Sequence, residues 1–475
     1  MTLLDEDFAR GSGGTHPVVE PATGETLGGV GIATPDDVAE AAAAAAVAQR
    51  DWARRKPAER AAVLRRAGEL WEAHAAEVQD WIVREAGSTR PKAGIETEMA
   101  AGICFEAAAL PTHPRGEVLS TGEPRWSLAR RVPAGVVSVI SPFNFPLILA
   151  IRSVAPALAL GNAVLLKPDL RTAVSGGVSL VRVFEEAGLP DGLLHLLPGD
   201  AAVGAAVVGA PEVSVVSFTG STAAGRKVGE AAARALKRVH LELGGNNALV
   251  VLPGADVAKA ASAGAFGSFL HQGQICMTTG RHLVHESQVD EYVEALSEKA
   301  RRLPVGNPAA GDVALGPIID DRQLAHVTDV VDRSVAAGAR VLAGGKPDAP
   351  YYPPTVLFGL SDENPAWREE IFGPVAPVRA SRDLGEAARI VNDSEYGLSV
   401  GILGDVGTAM TLADEVRSGK VHINEQTVGD EPTAPFGGVG DSGNGSRFGG
   451  AQANIDAFTE TQWLTVRAEI AGYPF

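Results

Sequence analysis

The chain has 475 residues, of which 45% are hydrophobic, and its 41 basic and 58 acidic side chains give a formal net charge of −17. This acidic balance argues against nucleic acid as a partner. The acidic amino terminus does not resemble a signal peptide, and no charge-free apolar run of about 18 residues predicts a membrane span. Two cysteines cannot form a disulfide framework, so we expect a reducing, cytoplasmic location.

The first part of the chain predicts an all-helical region. Pro35-Asp36-Asp37 is a helix start, and an alanine-rich stretch follows it. Apolar residues then recur at helical spacing. The predicted helices cover residues 38–52, 57–74, 75–86 and 93–110. Residues 125–132 are short and mixed in character, and we interpret them as one strand of an arm.

From residue 133 onward the pattern changes to alternating strands and helices. The predicted strands are 136–140, 163–167, 193–197, 213–218 and 239–243. The predicted helices between them are 147–160, 172–187, 201–208 and 222–236. This alternation predicts a parallel, doubly wound sheet, and such sheets bind ligands beyond the carboxyl ends of their strands.

A second alternating region begins after Gly245. Residues 248–252 and 282–285 are predicted strands, and residues 257–270 and 289–303 are predicted helices. The alternation continues through 323–337, 340–342, 384–392, 406–418 and 421–424. Residues 459–467 are strand-like, and we expect them to pair with the arm at 125–132.

One of the two cysteines is a candidate nucleophile. Cys276 lies in Gly-Gln-Ile-Cys-Met-Thr-Thr-Gly-Arg at 273–281. A thiolate attacks carbonyls readily, but free cysteine has a pKa near ~8.5, so a local feature must generate or protect the thiolate. On its own, Cys276 could equally be a small buried hydrophobe. Cys104 lies in a helical apolar pattern, and we predict that it belongs to the core.

Glu242 is a candidate general base. It is the single carboxylate of the apolar run at 239–243, which ends at Gly244 and Gly245. A carboxylate in apolar surroundings has its pKa raised toward neutrality, which suits a general base. The alternative is an ordinary surface glutamate. The paired glycines argue against it, because they let backbone or a ligand approach closely.

Five short motifs occur along most of the chain. They are Ser-Pro-Phe-Asn-Phe-Pro at 141–146, Leu-Glu-Leu-Gly-Gly at 241–245, Gly-Gln-Ile-Cys at 273–276, Glu-Glu-Ile-Phe-Gly-Pro at 369–374 and Pro-Phe-Gly-Gly at 435–438. Together and in this order they resemble the aldehyde dehydrogenase superfamily. The resemblance implies an α/β fold with a Rossmann-type cofactor domain, an α/β catalytic domain and a small β oligomerisation arm.

The resemblance also implies a covalent mechanism. Cys276 would attack the aldehyde, and the side-chain amide of Asn144 and the Cys276 N–H would hold the resulting oxyanion. The thiohemiacetal would expel hydride to a nicotinamide and leave a thioester. Glu242 would then activate water to release the acid. A CoA-acylating relative is the closest alternative, but such relatives usually lack the base at Glu242.

The cofactor site begins with the turn at 218–225, which follows a strand and opens a helix. Such a turn offers backbone N–H groups to a pyrophosphate, although alone it favours a plain turn capped by Ser221. With the resemblance, Lys167 would bind the adenosine ribose, and Glu370 with Phe372 would hold the nicotinamide riboside. The predicted cofactor-binding residues are Lys167, Gly220, Ser221, Gly225, Leu243, Glu370 and Phe372. No metal site is predicted.

The identity of the cofactor stays open between NAD and NADP. Many NAD-selective members carry Glu three residues after the lysine, where it would repel a ribose phosphate. Here Leu170 occupies that position, followed by Arg171, so use of both cofactors is expected. A second departure lies near the carboxy terminus, where Arg447 occupies the position of a second acidic residue. A proton relay through that residue is therefore not expected.

The predicted domains follow the family pattern. Residues 1–113 and 133–245 would form the dinucleotide-binding domain and 246–450 the catalytic domain. Residues 114–132 and 451–475 would form an oligomerisation arm, and a homodimer or homotetramer is expected.

Two stretches, 421–435 and 167–172, indicate the substrate class, because they resemble the benzaldehyde and vanillin dehydrogenase branch. An aromatic aldehyde is the leading prediction, and an aliphatic aldehyde or semialdehyde is the alternative. Ile275 and Met277 make an apolar wall that suits either. Two other classes are alternatives: a hydrolase that pairs His271 with Cys276, and a binding protein built on an inactive scaffold. Retention of Cys276, Glu242 and Asn144 argues against the second.

Overall fold

The computed structural model describes residues 3–4, 7–8 and 11–475. The chain begins with a three-stranded sheet in the order β1-β3-β2. Sequence reasoning missed this sheet because Pro17 and two adjacent glycines, Gly28 and Gly29, argue against strands. Its strands are β1 (Asp7–Phe8), β2 (Thr15–Val19) and β3 (Thr26–Gly31).

Four long helices follow, as predicted. The first begins with a capping box between Thr34 and Asp37. The fourth begins at Arg90 rather than at residue 93, so Lys92 lies inside it. Cys104 on this helix is fully buried, which confirms that it belongs to the core. The helices are α1 (Pro35–Arg54), α2 (Pro57–Ala73), α3 (Ala75–Ala86) and α4 (Arg90–Ala109).

Two strands, β4 (Gly116–Val118) and β5 (Trp126–Pro133), connect the helices to a five-stranded parallel sheet. The five-stranded sheet confirms the first predicted alternation. It consists of β6 (Val136–Ile140), α5 (Pro146–Ala159), β7 (Ala163–Lys167), α6 (Ser179–Glu186), β8 (Leu194–Leu196), α7 (Ala201–Gly209), β9 (Val213–Thr219), α8 (Thr222–Arg234) and β10 (Arg238–Glu242).

The strand order is β10-β9-β6-β7-β8, so the connections leave β6 in opposite directions. A crevice opens at such a reversal, beyond the carboxyl ends of β6 and β9. The prediction of one helix over 172–187 was wrong. A 3-10 turn (Leu170–Thr172) and a π-helical turn (Val174–Val178) precede α6. The buried Glu85 carboxylate accepts the backbone N–H groups of Val174 and Ser175, which fixes where this segment starts.

The second half of the chain forms a seven-stranded sheet, ordered β13-β14-β15-β12-β11-β16-β17, in which only β13 is antiparallel. Its elements are β11 (Asn247–Val251), α9 (Val257–Phe269), β12 (Thr279–His285), α10 (Val289–Arg302), α11 (Asp321–Ala336), β13 (Arg340–Ala343), β14 (Thr355–Phe358), α12 (Pro365–Arg368), β15 (Val375–Ser381), α13 (Leu384–Asn392), β16 (Ser399–Leu403), α14 (Val406–Ala413) and β17 (Lys420–Ile423).

The predicted helix over 406–418 was too long. Asn392 bonds the backbone of Glu415 and Arg417, and this draws the chain out of helical conformation after Ala413. Two 3-10 turns, Leu270–Gly273 and Gly440–Ser442, border the region that Cys276 and Glu242 occupy.

The last two elements are α15 (Ala451–Phe458) and β18 (Thr459–Val466). The predicted pairing of the arm is confirmed, because β18 pairs antiparallel with β5 in a sheet ordered β18-β5-β4. Ile455 and Phe458 of α15 pack into the core around the five-stranded sheet. The domain boundaries stay a prediction. Within the described residues, no helix is both long and apolar enough to cross a bilayer.

Candidate active site

Asn144 lies in the loop between β6 and α5, at the reversal of the strand order. Its side chain is 2% exposed, and its Nδ2 donates to the carbonyl of Gln274 at 2.9 Å. A carboxamide has two N–H groups, so the second stays available for a substrate oxygen. The structure thus brings Asn144 to the segment that carries Cys276, as an oxyanion donor requires.

Cys276 lies between the 3-10 turn at 270–273 and β12, and the residue as a whole is partly exposed. Its carbonyl accepts Asn247 Nδ2 at 2.9 Å, and a Cβ at Gly245 would lie 2.5 Å from the same oxygen. Glycine is therefore required at position 245 for the two segments to approach. Burial, and then the Glu370 carboxylate, raise the pKa of the Cys276 thiol to about 12. The thiol is thus protonated at neutral pH and needs a base.

Glu242 is the last residue of β10, and its side chain is 2% exposed. Among the described residues neither carboxylate oxygen has a well-formed hydrogen bond. Burial raises the pKa of Glu242 well above its ordinary value. Arg152, Arg447, the Gly438 N–H and Lys420 oppose the shift without cancelling it. A carboxyl with these properties suits general-base work near neutral pH.

Two cations near the site were missed by sequence reasoning. Arg152 of α5 is 5% exposed and bonds Asp430 at 2.7 Å, while Lys420 of β17 donates to the carbonyl of Gly429 at 2.6 Å. Both lie 4.4 Å from the ring centre of Phe436, and both favour the thiolate of Cys276. The signal for Arg152 was a single charge within an apolar helix, because such a charge must find a partner.

The walls around Cys276 are apolar. Ile275, Met277, Leu398 and Phe436 form a buried cluster. Phe145, Leu270, Val428 and Cys276 itself pack against it. The predicted wall of Ile275 and Met277 is thus extended by two aromatic rings, Phe145 and Phe436.

The turn at 218–225, which is predicted to bind the cofactor, lies between β9 and α8. Ser221 is the N-cap of α8, and its Oγ accepts the Ala224 N–H, while Gly220 N–H donates to the carbonyl of Glu242 at 3.0 Å. Gly225 lies in the first turn of α8 against the side chain of Leu243, which is buried. This helix terminus presents backbone N–H groups near the end of β10, as pyrophosphate binding requires.

The ribose-side residues lie at the same edge. Lys167 ends β7, and burial lowers its pKa while Asp169 and Asp200 oppose that shift. Glu370 Oε1 accepts the Gly245 N–H at 2.8 Å, and burial raises the Glu370 pKa to about 7. A Cβ at Gly244 would lie 2.1 Å from Glu370 Oε2. The glycine thus leaves room for this carboxylate.

Phe372 has φ of +52° and packs edge-on against Phe143, with ring centres 5.9 Å apart. A left-handed, non-glycine residue is strained, and such strain concentrates at ligand sites. The donor set therefore fits a nicotinamide dinucleotide: a helix terminus for the diphosphate, Lys167 and Glu370 for two riboses, and Phe372 for a ring.

The surroundings of His271 and Arg447 bear on two further hypotheses from the sequence. His271 is fully buried and packs on the ring of Phe145, 5.5 Å between centres, and no hydrogen bond joins it to Cys276 in the described part of the chain. Burial and Lys92 hold its pKa well below the usual range, so nothing here favours a Cys-His hydrolase. Arg447 lies near Glu242, where it favours the charged carboxylate.

Comparisons with known proteins agree with the fold. Residues 8–464 match the model of the aldehyde dehydrogenase family. The chain belongs to that family, and it is an aldehyde-oxidising, nicotinamide-dependent oxidoreductase. It is 63% identical to a vanillin dehydrogenase of an Amycolatopsis species, with all of both chains covered. It is 46% identical to a benzaldehyde dehydrogenase [NAD(+)] of Pseudomonas putida, covering 100% of this chain and 97% of that one.

A solved structure is similar over the whole chain. It is the crystal structure of a salicylaldehyde dehydrogenase from Pseudomonas putida G7 complexed with salicylaldehyde, at 35% identity. The two structures superpose with a TM-score of 0.95 and cover 99% of each chain. The predicted fold class is therefore confirmed.

Proposed function

We propose that this chain oxidises aromatic aldehydes to carboxylic acids, with Cys276 as the nucleophile. One observation carries the proposal: the partly exposed residue Cys276 lies near an amide donor and a buried carboxylate, and Phe145 and Phe436 belong to its apolar surroundings. Flat apolar walls favour stacking of a ring. The names of the vanillin, benzaldehyde and salicylaldehyde dehydrogenases described above support the same substrate class.

The first chemical step is attack by Cys276. The thiol first loses its proton to water, and the Sγ–C bond then forms as the carbonyl π electrons move to oxygen. The free N–H of Asn144 and the backbone N–H of Cys276 stabilise the oxyanion. Arg152 and Lys420 stabilise the thiolate, whereas Glu370 opposes it. A nicotinamide cofactor would be held by Lys167, Ser221, Glu370 and Phe372 and would supply the hydride acceptor, so that loss of hydride from the aldehyde carbon leaves a thioester on Cys276.

Glu242 completes the reaction by removing a proton from water. The hydroxide equivalent adds to the thioester carbon, and the C–Sγ bond breaks to release the acid and Cys276. The buried carboxylate has acceptor capacity to spare, since neither oxygen has a well-formed bond within the described residues. A retained base of this kind also disfavours CoA as the acyl acceptor.

Both NAD and NADP are proposed as cofactors. Leu170 brings no charge to the adenosine ribose region. The neighbouring Asp169 is paired with Arg171 at 2.8 Å, and Arg171 also binds Asp320 at 2.6 Å. A ribose phosphate would thus meet no unpaired carboxylate from these residues. The relative named for NAD(+) supports NAD as one of the two.

A homodimer or homotetramer is proposed for the assembly. Within the described residues, β18 and β4 are the edge strands of this sheet, and edge strands favour pairing with another chain. Trp126 is 70% exposed and Val466, directly opposite on β18, is 48% exposed. Exposed apolar side chains that face each other across two strands contribute to a surface that a partner can cover.

The deciding experiment is a panel of aldehydes run with each cofactor. Benzaldehyde and vanillin should give kcat/KM at least ~10-fold above hexanal or a semialdehyde, because contacts with two aromatic rings contribute roughly 0.5–1.5 kcal/mol each. Reduced cofactor and carboxylic acid should form in equal amounts. Addition of CoA should not accelerate turnover or yield acyl-CoA. A preference for aliphatic aldehydes would contradict the aromatic assignment and leave the oxidation itself intact.

A further inference from the structure

A fully buried ion pair lies behind the site. Lys92 and Glu96 are one turn apart on α4, and their side chains are 0% exposed. The Lys92 Nζ lies 2.5 Å from Glu96 Oε1. Burial disfavours both charged forms, which lowers the pKa of Lys92 and raises that of Glu96, while their mutual attraction opposes both shifts. Apolar side chains of similar size often stabilise a core as well as such a pair. Core stability alone therefore does not explain it.

Both charged groups bind the segment that begins with Asn144. The Lys92 Nζ donates to the backbone carbonyl of Asn144 at 2.6 Å and lies 4.2 Å from the ring centre of Phe145. Glu96 Oε2 accepts the backbone N–H of Leu147 at 3.0 Å and that of Ile148 at 3.4 Å. The pair thus holds the chain on both sides of the turn into α5.

Helix α5 depends on this contact for its cap. Its own N-cap residue, Phe145, has no side chain that can accept a hydrogen bond from the first turn. The first N–H groups of a helix need acceptors, and a negative charge there is also favourable. Glu96 supplies both from a different helix. The position and direction of α5 at Asn144 are therefore set by α4.

The side chain of Asn144 is tethered at the opposite end, where Nδ2 donates to the Gln274 carbonyl at 2.9 Å. The backbone is held by Lys92 and the side chain by the Cys276 segment, so one N–H of the amide keeps a fixed direction. An oxyanion donor must already be in position when charge develops, because reorientation during the reaction would cancel its benefit.

We propose that Lys92 and Glu96 are positioning residues for the oxyanion donor Asn144. They hold the backbone of 144–148 so that the second amide N–H meets the substrate oxygen as the Sγ–C bond forms. This inference rests on the proposed function. It adds a charged support on α4 that touches neither substrate nor cofactor.

The test replaces the whole pair, since removal of one partner would leave an uncompensated buried charge. In Lys92→Met/Glu96→Leu the single-turnover rate of reduced-cofactor formation should fall ~10–100-fold, somewhat less than loss of an oxyanion donor costs. The KM for benzaldehyde and the Kd for the cofactor should change less than ~2-fold, because binding contacts are untouched.

Arg60→Met is the matched control. Arg60 is another fully buried cation, and it donates to the carbonyl of Ala159 at 3.0 Å, at the far end of α5. The Arg60→Met variant should lose thermal stability, while its single-turnover rate should fall no more than ~2-fold. An equal rate loss in both variants would mean that α5 tolerates no change of buried charge, and this would overturn the proposal.

A double-mutant cycle with Asn144→Ala decides whether the pair acts through Asn144. In the Asn144→Ala background the paired substitution should cause no further loss of single-turnover rate. Additive losses would overturn the proposal. If circular dichroism shows that the paired variant is unfolded, Lys92→Met/Glu96→Gln repeats the cycle with both charges removed and a cap that keeps one acceptor. A wild-type enzyme inactive on every aldehyde would instead overturn the proposed function.

Discussion

At the scale of single residues, the thiol and the candidate base of the site both have raised pKa values. Burial and Glu370 raise the pKa of Cys276 to about 12, and burial raises that of Glu242 well above its ordinary value. At neutral pH the resting thiol is therefore protonated, and a high-pKa carboxylate is a strong enough base to compete for a proton. Arg152 and Lys420 act on both groups, favouring each anion.

Cys276→Ala should abolish aldehyde oxidation. The covalent step has no substitute, because Cys104 is fully buried and its burial raises its thiol pKa still further. We expect a loss of at least ~10³-fold in kcat, since removal of a covalent nucleophile is among the largest single effects. Cofactor affinity, measured by fluorescence titration, should stay near that of the wild type. Turnover within ~100-fold of wild type would reject Cys276 as the nucleophile.

Glu242→Gln should separate the two half-reactions. Removal of the base that activates water should slow thioester hydrolysis more than the first turnover. Rapid mixing should then show a burst of reduced cofactor, stoichiometric with sites, before a slow steady state. A burst slowed as much as the steady state would instead make Glu242 the activator of Cys276.

The pH dependence follows from the same group. Glu242 acts as a base only when deprotonated, and its pKa is raised, so the wild-type steady-state rate should be low in acid and rise with pH through that raised pKa. In Glu242→Gln this rise should disappear from the deacylation rate. A rise that persists unchanged in the variant would assign it to another group.

Leu170→Glu tests the cofactor proposal. A carboxylate introduced beside the adenosine ribose should repel the phosphate of NADP and leave NAD almost unaffected. The kcat/KM ratio of NAD to NADP should rise at least ~10-fold, equivalent to about 1.4 kcal/mol. Leu170→Gln is the control, because glutamine has the shape of glutamate without its charge. It should change the ratio less than ~3-fold. Equal shifts in both variants would exclude a charge effect.

At the scale of elements, regular patterns were predictable and interrupted ones were not. The strands β6, β7 and β9 and helices α1–α4 have uniform apolar spacing, and their positions were predicted within a few residues. By contrast, β15 contains Pro377 and β16 contains Gly401, and both residues argue against a central strand. The sheet tolerates Gly401 for a packing reason, because a Cβ there would lie 2.7 Å from Leu249.

The same division applies to the site. Cys276, Glu242 and Asn144 each lie in a motif, so the sequence could propose them, and the structure brings them to one crevice. Lys92 and Arg152 lie on helices and belong to no motif. Their contacts depend on how α4, α5 and the 429–436 loop pack, and a one-dimensional pattern does not contain that information.

Gly225→Ala tests the contact between α8 and the end of β10. A Cβ at position 225 would lie 2.3 Å from Leu243 Cδ2, so that this buried side chain would have to move. Overpacking of this kind costs roughly 1–3 kcal/mol, and it should displace the helix terminus proposed to bind the diphosphate. We expect the cofactor Kd to rise ~3–10-fold, consistent with part of that cost.

Gly229→Ala is the matched control for this helix. Its Cβ would lie 3.2 Å from the end of Leu241, a contact that a small shift relieves. Cofactor affinity should change less than ~2-fold, and the gain in helix propensity should raise stability slightly. Equal weakening by both substitutions would show that the Gly225 contact is not specific to the cofactor end of α8.

At the scale of the whole molecule, the arm sheet differs from the two larger sheets. Strands β18, β5 and β4 build a separate three-stranded sheet, with exposed apolar residues on its strands. Three strands with little core of their own gain stability by packing against another surface. The net charge of −17 keeps copies apart in general, so association needs a defined apolar contact.

Trp126→Glu/Val466→Lys tests this contact. The two residues are directly opposite across β5 and β18, so the new charges can pair within one chain and preserve the sheet. Light scattering of the wild type at micromolar concentration should give a multiple of 49.0 kDa. The variant should shift toward 49.0 kDa, because a desolvated charge at an interface is costly. Met410→Glu, at a 52% exposed site on α14, is the control and should keep the wild-type mass. A monomeric wild type would refute the assembly, and an unchanged mass in the variant would move the interface away from this pair.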